Sequence, residues 1–91
     1  MVEKVALRRF WFKIEGDKTS RLGYGVTAWT VEDAVNILQS RAFGGRPLPH
    51  YSIVADVDVS KLDAGHIRPN MESPTWRGIW FPIGLAEAKS R

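Results

Sequence analysis

The sequence predicts a small α+β domain of element order ββαββ, a mainly antiparallel sheet with one helix packed on a face. Three observations carry this. Two stretches before residue 30 alternate aromatic and branched residues with period two. Residues 30–43 hold one capped segment with helical apolar spacing. Apolar alternation then returns at 51–59, and an aromatic stretch follows at 75–81. Ninety-one residues make a single domain, expected to be ordered over 5–82 with a short frayed tail at 83–91.

Residues 5–14 read as the first strand, with Phe10, Phe12 and Ile14 on one face and Arg9, Trp11 and Lys13 on the other. A turn-rich connection at 15–20 leads to a second strand at 22–29. Here Tyr24, Val26 and Ala28 share a face, and Thr27 and Trp29 share the opposite one. A hairpin would set Phe10 near Val26 and Phe12 near Tyr24, with Gly23 and Gly25 leaving room around Trp11. Thr30 is a good N-cap, and Asp33 three residues on makes a capping-box variant. Val31, Ala34, Val35, Leu38 and Ala42 form the expected apolar stripe. Gly44-Gly45 stops the helix, and Pro47 and Pro49 prevent its resumption.

The third strand is expected at 51–59, with Tyr51, Ile53, Ala55, Val57 and Val59 inward and Ser52, Asp56 and Asp58 outward. A short helical turn is expected from Ser60. A loop at 64–74 then precedes a fourth strand at 75–81. Residues 68–82 pack Trp76, Trp80, Phe81, three prolines and two arginines into fifteen positions. So many large apolar groups would be costly in a solvated tail, so the segment is read as ordered. The pair Trp76 and Trp80 is expected in the core, which leaves Arg77 exposed.

The chain carries 13 basic and 10 acidic residues, 44% hydrophobic residues and no cysteine. Disulfides, thiolate nucleophiles and cysteine zinc sites are excluded, and a reducing compartment fits. The N-terminus has no signal-peptide pattern, and no apolar run approaches the roughly 18 residues that span a bilayer. A cytoplasmic location is expected, with no membrane role. The charge is uneven: residues 1–30 and 67–91 are net basic and 31–66 net acidic. Such mild asymmetry does not require a nucleic-acid partner.

Catalytic signatures are missing. No Gly-x-Ser-x-Gly elbow occurs, and Gly23-Tyr24-Gly25 precedes strand residues rather than a helix start, which is wrong for a phosphate loop. A metal site would need His50 and His66 joined by Asp56 or Asp58. Their spacing matches no ligand pattern, so two loop histidines beside a solvated acidic edge is the preferred reading. An enzyme built on His66 and a carboxylate is the least favoured function. No cofactor is expected.

Two surfaces remain. Arg9, Trp11, Lys13 and Trp29 compose a basic-aromatic set suited to stacking on single-stranded nucleic acid. The preferred alternative there is a Trp packed under a loop with its long basic neighbours lying over it. Arg68, Asn70, Trp76 and Arg77 fit a protein contact, because Trp and Arg are enriched at interface hot spots. The acidic middle, Asp56, Asp58 and Asp63, offers a second contact for a basic partner.

Phe10-Trp11-Phe12, Gly25-Val26-Thr27-Ala28 leading to Glu32-Asp33-Ala34, Arg68-Pro69-Asn70-Met71 and Arg77-Gly78-Ile79-Trp80-Phe81-Pro82 together resemble a family of short bacterial proteins of unknown function. Proteins of this kind are similar to immunity proteins of toxin–immunity systems of the contact-dependent inhibition type. The resemblance spans nearly the whole chain and implies no active site. It implies a protein partner, a toxin domain that the chain would mask. The sequence thus favours a non-catalytic immunity-type binding protein, with a small RNA- or single-strand-binding module as the alternative.

Overall fold

In a computed structural model, the structure describes residues 6–16, 22–62, 64–65 and 67–82. The expected tail at 83–91 lies outside these residues. Four strands form one antiparallel sheet: β1 (Arg8–Ile14), β2 (Tyr24–Ala28), β3 (Tyr51–Ala55) and β4 (Gly78–Phe81). Their spatial order is β3-β1-β2-β4, and the helix α1 (Val31–Ala42) follows β2. The α+β class and the ββαββ order are as the sequence predicts. No helix among the described residues is long and apolar enough to cross a membrane.

The hairpin register is the expected one, with Phe10 facing Val26 and Phe12 facing Tyr24. Phe10, Phe12, Ile14, Tyr24, Val26, Ala28 and Ile79 form a buried sheet face against Ala34, Ile37 and Leu38 of α1. The helical stripe is rotated from the expected one. Ile37 is buried, whereas Val31 in the first turn is exposed. Thr30 caps the helix as expected, accepting from the Asp33 N–H at 3.0 Å.

The opposite sheet face is covered as well, by the loop between β3 and β4. Ile67, Trp80 and Phe81 are buried there, with Trp11, Val57, Val59, Leu62 and Met71 packed around them. Two short 3-10 turns, Val59–Lys61 and Arg68–Asn70, shape this loop. Its backbone is tied to the sheet where the Glu72 N–H donates to Trp80 O at 2.7 Å and Thr27 Oγ1 donates to Pro74 O at 2.6 Å. Thr27 is thereby buried with its hydroxyl satisfied, and β2 has no exposed face.

The third strand departs from expectation. It ends at Ala55, because Asp56 takes a left-handed backbone (φ 54°). Asp tolerates that conformation better than most residues. The Val57 N–H still bonds to Arg9 O at 3.0 Å, so the chain bulges and turns. Val57 and Val59 then pack on the loop-side cluster rather than inward with Ile53. Tyr51 and Ala55 are exposed because β3 is an edge strand; α1 packs mainly on β2 and β4.

The fourth strand begins at Gly78, not at 75. Gly25 faces Phe81 while Val26 faces Ile79, which makes Trp80 the extra residue of a β-bulge. The bulge lets Trp80 and Phe81 fill the same loop-side cluster although they are sequence neighbours. Gly25 is required beneath Trp80, since a Cβ there would sit 2.5 Å from the indole ring. Gly23 does the same for Trp11, whose Nε1 would be 2.7 Å from a Cβ. Room around Trp11 was expected from both glycines, and Gly25 serves Trp80 instead.

Candidate functional site

Where β2 leads into α1 and the loop leads into β4, one carboxylate gathers three elements. Asp33 accepts from the Trp29 N–H at 3.1 Å and from Arg77 Nε at 2.9 Å, and Arg77 Nη2 bonds its second oxygen. Such a two-pronged guanidinium–carboxylate pair is the planar geometry Arg supplies and Lys cannot. Arg77 chiefly, with help from the Trp29 N–H, holds the Asp33 carboxyl below its usual range, against an opposing effect of burial. Asp33 in turn raises the Arg77 guanidinium above its ordinary value. The negative charge also lies in the first turn of α1, where the helix dipole favours it.

Large exposed apolar groups adjoin this ion pair along the chain: Trp76 immediately precedes Arg77, and Trp29 and Val31 lie just ahead of Asp33. Trp76 is 75% exposed, Trp29 45% and Val31 39%. Trp76 rides on a turn that its neighbours fix. The Ser73 and Thr75 hydroxyls lie 2.7 Å apart, the Thr75 N–H donates to Ser73 Oγ, and Thr27 holds Pro74 from below. The result is an exposed indole next in the chain to a guanidinium whose position is set in advance. These groups can bind; they do not assemble a nucleophile with a base.

The expected core pair of tryptophans is therefore split. Trp80 is 1% exposed, with its indole N–H unpartnered among the described residues, while Trp76 is the most exposed large side chain named above. The physical reason is the late start of β4: residue 76 lies in the turn, so strand alternation does not govern it. Arg77 is half-exposed, as expected, but ion-paired.

Arg68 and Asn70 sit on the second 3-10 turn, exposed, in the loop that covers the Trp11–Trp80 side. Asp56 and Asp58 do not share a strand face, since β3 ends before both. Asp56 forms a two-pronged pair with Arg8 at 2.9 and 2.8 Å, which lowers its carboxyl pKa. Asp58 caps the first 3-10 turn through the Ser60 hydroxyl and N–H, which lower its pKa too. Both acids have local structural work. Asp63 and His66 lie outside the described residues. Among the described residues no group of three His, Asp or Glu is placed to hold a metal ion.

The basic-aromatic set is not brought together. Trp11 packs on Trp80 and Phe81, with ring centroids 5.8 and 5.4 Å away, and its Nε1 donates to Leu22 O at 3.2 Å. Arg9 lies beside Asp56, Asp58 and Pro74. Lys13 borders a shallow depression with Glu15, His50 and Tyr51 at the other end of β1. Trp29 follows Ala28, which faces Arg8. That leaves Lys13 and Trp29 about six strand positions apart, roughly 20 Å.

Sequence reasoning gave Asp33 only a capping role. Its second carboxylate oxygen was the available signal, because a cap uses one oxygen and leaves the other for a cation. No family model matches the sequence, and comparisons with curated proteins and with solved structures find no match.

Proposed function

We propose that this chain is a non-catalytic protein-binding domain whose contact surface is the patch formed by Trp76, Trp29, Val31 and the Asp33–Arg77 pair. The observation that carries the reading is Trp76, 75% exposed on a turn held at both ends and adjacent to a fixed guanidinium. An exposed aromatic that a partner can bury, with an Arg beside it, is the usual composition of a hot spot. A surface already ordered loses little entropy on binding. The resemblance to immunity proteins supplies the specific form: the patch docks on a toxin domain and masks it. The nucleic-acid alternative is disfavoured because Trp11 would have to leave its aromatic packing to stack on a base.

The test uses the product of the gene next to this one as the probe. Trp76→Ala should weaken its binding at least about 30-fold, the equivalent of a hot-spot loss of about 2 kcal/mol, while the melting midpoint holds. Unchanged affinity in Trp76→Ala removes this surface. A neighbouring product that does not bind the wild-type chain removes the immunity reading. Quenching of tryptophan fluorescence by a single-stranded oligonucleotide, lost steeply with salt, would favour the alternative.

A further inference from the structure

At the far side of the sheet from Trp76, β3 is an edge strand, open among the described residues. The Val57 N–H bonds to Arg9 O, and the Glu15 N–H bonds to His50 O. Antiparallel pairing alternates by two, so Arg9, Trp11, Lys13 and Glu15 turn their backbone groups toward β3. His50, Ser52 and Val54 turn theirs back toward β1. The N–H and C=O groups of Tyr51, Ile53 and Ala55 consequently point away from the sheet, where no further strand lies among the described residues.

Protected edges carry charge, proline or a bulge within the strand. Tyr51-Ser52-Ile53-Val54-Ala55 has none of these, and Val54 is 56% exposed. The helix packs mainly over the β2–β4 half of the sheet and approaches β3 at Tyr51. Between β3 and the helix runs a shallow apolar groove bordered by Tyr51, Val31 and Val35.

We propose that β3 pairs antiparallel with β3 of a second copy of this chain, joining two four-stranded sheets into one of eight strands. Three features select a second copy over another strand. The outward backbone groups are self-complementary: with Ile53 on a two-fold axis, Ile53 faces Ile53, and Tyr51 faces Ala55 at both ends. All three pairs are then hydrogen-bonded ones. The register also matches bulk, since the large Tyr51 lies beside the small Ala55 of the other copy, on the groove side. The groove along Tyr51 and Val35 continues into that of the second copy, which adds apolar contact to the strand pairing.

Sedimentation and light scattering on the full chain test this. The expected mass is twice 10.3 kDa at high concentration, with dissociation on dilution. Hydrogen exchange of the Tyr51, Ile53 and Ala55 amides should slow as concentration rises. Val54→Lys adds a charge to an exposed edge position opposite Trp11, with Lys13 on the diagonal; it should shift the mass to that of one chain while keeping the thermal midpoint measured on the dilute protein. A single-chain mass up to about 1 mM overturns the proposal, because that bounds the dissociation constant in the millimolar range or weaker. A dimer whose three edge amides exchange freely, or one that Val54→Lys leaves intact, also overturns it and places the contact on another face. The two surfaces meet at Val31, but neither Trp76 nor Arg77 lines the β3 groove, so the Trp76→Ala and Val54→Lys tests read separate contacts.

Discussion

At the residue scale, one contact shows how tightly composition is set. The Trp80 ring lies directly over Gly25, so the glycine and the tryptophan specify each other across β2 and β4. Gly25→Ala should force the indole off its seat and cost about 1–3 kcal/mol, the usual range for overpacking. Chemical denaturation with tryptophan fluorescence reads this directly. A variant as stable as the wild type would mean that Trp80 can repack without loss. The pairing is invisible in sequence, since the two residues are 55 positions apart and are brought together by strand order and a bulge. By contrast, Phe10 and Phe12 announce their burial through alternation alone, and both are fully buried.

At the element scale, the start of α1 is held by more than its cap. Thr30 closes the first turn, and Asp33 fastens that turn to β2 through Trp29 and to β4 through Arg77. The Asp33 carboxyl is held below its ordinary value near 3.8, so the folded state binds this proton less tightly than the unfolded chain. Its contribution is full above about pH 4 and is lost as pH falls through the lower folded value. Asp33→Asn should lower stability at neutral pH by about 1 kcal/mol, combining the ion pair with the helix-dipole effect. The difference from wild type should shrink as pH drops below 4, as followed by thermal melts. A constant difference across that range would mean that the pair contributes nothing to stability. Thr30 and its cap were legible, because N-cap chemistry is local. The Arg77 partner was not, because it arrives from 44 positions away.

At the scale of the whole molecule, the sheet is covered on both faces, by α1 on one and by the 57–76 loop on the other. A ninety-one-residue chain gains from this, because a small domain buries a limited share of its surface with one layer alone. The loop is thus part of the fold, anchored by Ile67, which is buried with Trp80 and Phe81. Ile67→Ala should cost about 2 kcal/mol or more, as for a core position, and should raise the exposure of Trp80 to a soluble fluorescence quencher. An unchanged quenching rate would mean that the loop does not depend on Ile67 to stay seated. The three-layer arrangement also separates two edges. The β4 edge meets the loop, which bonds to Trp80 O, whereas the β3 edge has no neighbouring strand among the described residues.

The sequence by itself determined the class, the order of elements, the hairpin register and the helix cap. Each rests on interactions between near neighbours or on a periodicity that any solvent boundary enforces. Only the tertiary structure decided where β3 ends, which side Val57 and Val59 join, and that Trp76 and Trp80 part company. A single left-handed residue at Asp56 and one inserted residue in β4 reverse the facing of everything after them. Alternation cannot register such a step, because its energetic justification lies in a partner strand or a covering loop far along the chain. The candidate site follows the same division. Trp76 and Arg77 were legible as unusual residues, but their meaning was set by Asp33 and by the turn that holds one indole in the open while the other is buried.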